Sequence, residues 1–107
     1  MPTPGASDVF AALGDPTRRT IVELLVGRGQ STATELAAEL GISRQAVSKH
    51  LGQLEETGLA VSRREGRENH FAVDTEPLAN VTEWVTAVEQ QWAQRLNHLR
   101  STLTDQM

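Results

Sequence analysis

The stretch Ser43-Arg44-Gln45-Ala46-Val47-Ser48-Lys49-His50-Leu51-Gly52-Gln53-Leu54 decides how this chain reads. On a helix turning about 100° per residue, Val47, Leu51 and Leu54 gather within about 60° of one another. Arg44, Gln45, Ser48, Lys49 and Gly52 then fill an opposing arc of about 140°. One face packs and the other carries the side chains used to read a major groove. Arg bonds guanine bidentately, Gln does the same to adenine, Ser serves base or phosphate, and Lys serves phosphate or guanine. Gly52 keeps that face flat. His50 falls at the border of the apolar stripe, which gives it a phosphate or packing role ahead of base reading. Ser43 is a good N-cap, the helix interior is expected from Arg44 to about Thr57, and Gly58 holds the position that favours a left-handed C-terminal cap.

Upstream, Thr32-Ala33-Thr34-Glu35 has the spacing of a capping box, Leu36 and Leu40 face inward four apart, and Gly41 ends the segment. The two helices are therefore joined by a tight turn. Before them, Asp15-Pro16 supplies a cap and a proline at the first helical position of a helix striped by Ile21, Leu24 and Leu25. Gly27 and Gly29 are expected to break it. Val9, Phe10 and Leu13 suggest a short first helix that ends at Gly14. Residues 1–7, rich in Pro, Gly and Ser, are expected to form a flexible tail, with Thr104 to Met107 frayed at the other end.

Downstream, Leu59 and Val61 alternate with Ala60 and Ser62, and Phe71 and Val73 alternate with His70 and Ala72, across Glu65-Gly66-Arg67. This predicts a hairpin over about 59–74 whose tip carries Arg63, Arg64 and Arg67. Long cations on a protruding ribbon suit phosphates or a minor groove, although Glu65 and Glu68 are interleaved with them and could pair with them on the surface. A last helix is expected over about 77–103. It has Leu78, Val85, Trp92 and Leu99 at seven-residue intervals, with Val81 and Val88 forming a second seam. A seam this long in so small a domain calls for a second copy of the chain, and Phe10 and Leu13 are candidates to join that interface.

At 107 residues, with 38% apolar and 22% charged side chains, the chain suits one globular domain, expected over 8–104. Its net charge of −4 looks unfavourable for nucleic acid, but the distribution is polarised. Residues 43–70 carry five basic against four acidic side chains, whereas 1–42 carry three against five and 71–107 two against five. There are no cysteines, which excludes disulfides, thiolate metal sites and a cysteine nucleophile. No run is long enough to span a membrane and the N-terminus lacks the pattern of a signal peptide, so a cytoplasmic protein is expected. An enzyme is disfavoured, because Ser48 and His50 stand two apart on a helix and diverge.

Taken together, Leu13-Gly14-Asp15-Pro16-Thr17-Arg18-Arg19, Glu35-Leu36-Ala37, the stretch from Ser43 to Leu51, Leu54-Glu55-Glu56-Thr57-Gly58-Leu59 and Arg64-Glu65-Gly66-Arg67 resemble the ArsR/SmtB-type winged-helix transcriptional regulators, from about Phe10 to Leu103. The resemblance implies a mainly α fold with a small β-hairpin wing, a winged helix-turn-helix that dimerises through its N- and C-terminal helices. It also implies a homodimer that sets two recognition helices in successive major grooves of a pseudo-palindromic, double-stranded operator, usually as a repressor released by a signal. Ser43, Arg44, Gln45, Ser48, Lys49 and His50 match the positions where such proteins touch DNA. Many members sense metal through thiolates on the third helix, where this chain has Ala37-Ala38. Others use carboxylates and histidines on the last helix, where His98, Glu83 and Glu89 do not share a face. No metal or cofactor is therefore expected, although an intersubunit site built on His98 is the alternative. Two competing readings are a winged-helix protein-interaction module and a regulator that binds DNA only with an effector or protein partner.

Overall fold

The computed structural model describes residues 5–105; the expected tail at 1–4 and the end at 106–107 lie outside them. Five helices and one hairpin follow in the order α1 (Ala6–Leu13), α2 (Pro16–Arg28), α3 (Ala33–Leu40), α4 (Arg44–Glu56), β1 (Ala60–Glu65), β2 (Glu68–Val73) and α5 (Leu78–Asp105). The helix therefore starts inside the stretch expected to be a tail, because the Asp8 carboxylate accepts from the Gly5 N–H at 3.1 Å and closes the first turn. At the far end α5 continues through Thr104.

Local chemistry sets most boundaries. Asp15 Oδ1 accepts from the N–H groups of Thr17 (2.8 Å) and Arg18 (3.1 Å), with Pro16 in the first turn. The bond from Arg18 holds the Asp15 carboxyl below the usual carboxylate range, with the Thr17 bond and the nearby His50 and Arg18 charges adding to it against a smaller opposing cost of burial. Helix α2 runs through Gly27 and Arg28 and stops at Gly29, where φ is 85° and the N–H reaches the Leu25 carbonyl at 2.8 Å. Gly27 is thus not a breaker: helical backbone is open to glycine at a propensity cost only, and the left-handed residue that ends the helix is Gly29.

The helix-turn-helix is built from reciprocal caps. The Thr32 hydroxyl accepts from the Glu35 N–H (3.2 Å), and Glu35 Oε1 accepts from the Thr32 N–H (3.3 Å). Gly41, at φ 68°, turns the chain, and Ser43 Oγ accepts from the Ala46 N–H at 3.1 Å to open α4. At its other end, the Leu59 N–H reaches the Leu54 carbonyl and the Gly58 N–H the Glu55 carbonyl, both at 3.0 Å, with Gly58 at φ 80°.

That cap overturns the expected strand alternation. Leu59 is buried as part of the helix terminus, and the strand begins one residue later with Ala60 inward and Val61 exposed. The hairpin is antiparallel, pairing Ala60 with Val73, Ser62 with Phe71, Arg64 with Asn69, and Glu65 with Glu68. Its two-residue turn, Gly66-Arg67, has positive φ only at Gly66, the pattern of a type II′ turn. Ser31 adds an isolated bridge on the other edge of β2, exchanging backbone hydrogen bonds with Phe71 at 3.0 and 2.8 Å, so the loop between α2 and α3 is stitched to the wing.

The core lies where α1–α4 meet the base of the wing, around Val9, Ile21, Leu25, Leu36, Leu51 and Leu54. Leu13, Leu78 and Val81, expected at a dimer interface, lean on this core within their own protomer, because α5 leaves the body only after its first turns and its passage along α1. Beyond that point α5 has no buried residue. The radius of gyration is 19.5 Å, against about 13 Å for a compact chain of this length. A protruding helix accounts for the excess.

Candidate nucleic-acid interface

Helix α4 presents the face that its sequence pattern requires. Val47, Leu51 and Leu54 are buried against the core, and Arg44, Gln45, Ser48 and Lys49 are exposed on the opposite side, with Ser43 exposed at the cap. Gly52 interrupts this surface with bare backbone, and a methyl group added there would meet no atom within 4 Å. His50 lies on the flank. It is half-buried and close enough to Asp15 for its charge to act on that carboxylate, and its Nδ1 is enclosed with no hydrogen-bond partner among the described residues.

The hairpin register divides the three wing arginines. Arg64 shares the inner face with Ala60, Ser62, Asn69 and Phe71, and Arg67 sits at the turn. Arg63 projects from the outer face, where it is paired with Glu65. The same outer face places His70 Nε2 at 3.6 Å from Glu65 and 3.7 Å from Glu68. Strand alternation therefore turns Arg64 towards α4 and keeps Arg63 apart, while Arg67 reaches the same side from the turn.

The other basic side chains of the body are committed to structure. Arg18 donates from Nε to the Ala12 carbonyl (2.6 Å), from its terminal nitrogens to the Ala11 carbonyl (3.1 Å), and also to Gln53 on α4, joining α1, α2 and α4. Arg19 caps the Leu13 carbonyl, and Arg28 pairs with Glu39 at 3.0 Å. Among the described residues, Arg44, Lys49, Arg64 and Arg67 make no ion pair. Four uncommitted cations on one side of an acidic chain form a local positive field that its net charge conceals.

Sequence reasoning missed the Arg18–Gln53 bridge and the placing of Asn69 opposite Arg64 on the inner face of the hairpin. The first has no periodic signal, and the second follows only once the hairpin register is known. Among the described residues, no group of three or more His, Asp or Glu side chains is arranged to hold a metal ion, and no helix is long and apolar enough to cross a membrane.

Residues 13–63, from the end of α1 through the recognition helix into the wing, match the family described as a helix-turn-helix domain. The HTH-type transcriptional regulator YuzN of Bacillus subtilis is 40% identical over 84 residues, covering 72% of this chain and 91% of that protein. A solved ArsR-like transcriptional regulator from Rhodococcus sp. RHA1 superposes with a TM-score of 0.82 at 35% identity, covering 94% of this chain and 91% of that one. The chain belongs to the ArsR family. As an ArsR-family protein it is a DNA-binding transcriptional regulator with a winged helix-turn-helix fold. The transcriptional repressor SdpR of Bacillus subtilis is also similar, at 34% identity over 74% of this chain and 87% of that protein. With no cysteine anywhere in its sequence, this ArsR-family chain has no thiolate with which to sense a metal.

Proposed function

We propose that the protein is a homodimeric, cytoplasmic repressor that reads a pseudo-palindromic operator with one α4 helix per half-site. The observation that carries this reading is the placing of its cations: four stand free on the α4 and wing side, Arg18, Arg19 and Arg28 of the body are tied into hydrogen bonds and an ion pair, and the other unpaired arginines among the described residues, Arg95 and Arg100, lie on the protruding α5. Ser43, Arg44, Gln45, Ser48 and Lys49 lie on the side turned to the major groove, Arg64 and Arg67 serve the flanking backbone, and His50 supports the helix from its packed flank. Arg63 contributes long-range charge, damped by Glu65. Repression as the direction of control is supported by the likeness to SdpR.

Dimerisation is supported by α5. Val85, Val88, Trp92, Leu99 and Leu103 are all 40% or more exposed in the protomer, and they fall within an arc of about 60° on the helix. Such a stripe on a helix of about 42 Å is the kind of apolar surface that a partner covers. Phe10 extends it, standing edge-on to Trp84 at 5.2 Å between ring centroids. Two protomers joined there would present their α4 helices to half-sites about 34–36 Å apart.

Fluorescence anisotropy with the protein's own upstream DNA, against random duplex and across a salt series, tests this reading. Selective binding is expected, with log affinity falling against log salt at a slope of about −5 to −7 as the free cations of two protomers meet phosphates. Equal binding to both duplexes at every salt concentration would replace it with a regulator that needs an effector or protein partner. Read by thermal unfolding followed by circular dichroism, Gly52→Ala is expected to raise Tm by about 2–8 °C, since a helix-interior glycine is exchanged for a better helix former with room for its methyl. It should also weaken operator binding, because the methyl stands on the reading face. A raised Tm with unchanged affinity would show that the DNA does not approach Gly52 closely.

A further inference from the structure

Between the first turns of α3 and α4 and the inner face of the wing lies a cleft of about 170 Å³. Arg44 and Ser48 line it from α4, Thr34 from α3, and Arg64, Arg67 and Asn69 from the wing. Glu68 is the one carboxylate on its wall among the described residues, and it lies within 3.7 Å of His70 on the outer side. Three guanidinium-bearing side chains thus converge on one hollow from parts of the chain about twenty residues apart, with no counter-charge bonded to them among the described residues. Like charges held together repel, so an anion from outside would be attracted to the arrangement. The hollow is well below the 300–1,000 Å³ typical of small-molecule pockets, a size that favours a single compact group. Guanidinium forks match phosphate oxygens in pairs, and the positive end of the α3 dipole adds to the attraction.

We propose that this cleft is a phosphate-binding site, and that Arg44 acts there with Arg64 and Arg67 on a phosphate group and not on a base. The proposal rests on the DNA-binding reading for its occupant, a backbone phosphate at the edge of each half-site. It assigns register-setting to Arg44 and leaves base discrimination on α4 mainly to Gln45 and Lys49. The same chemistry is offered by a free phosphate-bearing small molecule, which would compete with the operator for the cleft.

The test compares wild type, Arg44→Ala, Arg44→Lys and Gln45→Ala on operator and random duplex across a salt series, with pyrophosphate as a competing probe. Arg44→Ala is expected to weaken both duplexes by the same factor and to lower the salt slope by about 2 in a dimer. Arg44→Lys should restore most of the loss, and Gln45→Ala should reduce selectivity instead. A loss for Arg44→Ala confined to the operator and to one base position would overturn the proposal. Pyrophosphate that displaces duplex from wild type at constant ionic strength, but less effectively from Arg44→Ala, adds the free anion as an occupant. No such competition leaves the backbone phosphate as the occupant. If no duplex binds at all, the DNA-binding reading fails, and pyrophosphate-induced amide shifts by NMR then decide the cleft alone: saturable shifts at Arg44, Ser48 and Asn69 uphold it and their absence overturns it.

Discussion

Trp92→Glu is expected to yield a monomer in sedimentation equilibrium and to lower operator affinity by a factor of about 10³ or more. Trp92 is 59% exposed in the protomer and lies beyond the part of α5 that touches the core. The substitution therefore leaves the fold intact, and the far-ultraviolet circular dichroism of the variant should match that of wild type. In the proposed dimer the same position lies at the centre of the apolar stripe, where a carboxylate would have to be desolvated against Val88 and Leu99 without a partner. The loss in affinity follows from geometry. One recognition helix on one half-site has neither the second helix nor its share of phosphate contacts, and the second binding event no longer benefits from millimolar effective concentration. Affinity should fall towards the non-specific level, which typically lies 10³-fold or more below specific binding. A dimer that survives Trp92→Glu would mean that α5 has another partner face, and the separation of the two α4 helices would need a different origin.

The sequence carried the helix-turn-helix because its signals are local. Asp15, Thr32 and Ser43 each cap the helix that follows, as their positions require, and Val47, Leu51 and Leu54 face the core at the spacing that makes α4 amphipathic. What it carried less well was decided by register. Leu59 and Val61 look like two inward residues of one strand, but Leu59 belongs to the capping turn of α4, which shifts the pleat by one residue and exposes Val61. The same one-residue shift sends Arg63 outward to Glu65 while Arg64 turns inward. A basic cluster read from composition therefore holds two differently placed groups, one paired with a carboxylate and one not. Ser31 pairing with Phe71, and Arg18 reaching Gln53, depend on tertiary placement alone, and no pattern in either neighbourhood marks them. On α5 the heptad spacing correctly marks an apolar stripe, yet spacing cannot say how far along the helix the protomer's own core extends. Leu78 and Val81 fall inside that limit and Val85 onwards falls outside it.

Leu51→Ala should destabilise the protein by about 2–5 kcal/mol, a large share of the 5–15 kcal/mol that holds a typical domain together. Leu51 is 1% exposed and lies with Val47 and Leu54 on the packed face of α4, within the same cluster as Leu36 and Leu25. Truncation removes three carbons from an interior that helix caps hold in place at both ends of α4, so little collapse into the cavity is available and the cost should fall in the upper part of the range. The corresponding fall in Tm is about 10–30 °C, read by circular dichroism at a fixed protein concentration because dimerisation makes Tm depend on it. Val26→Ala is the matched control: Val26 is 62% exposed on α2, and its loss should change stability by no more than about 0.5 kcal/mol. Operator binding separates anchoring from reading. Leu51 does not face the reading side, so below its melting range the variant should keep the wild-type ratio of operator to random binding, and should lose affinity only in step with its folded fraction. A variant that stays fully folded but loses that ratio would mean that the packed face of α4 sets the pose of the reading face directly. A fall of only a degree or two in Tm would mean that α4 is held mainly by its caps and the Arg18–Gln53 bridge.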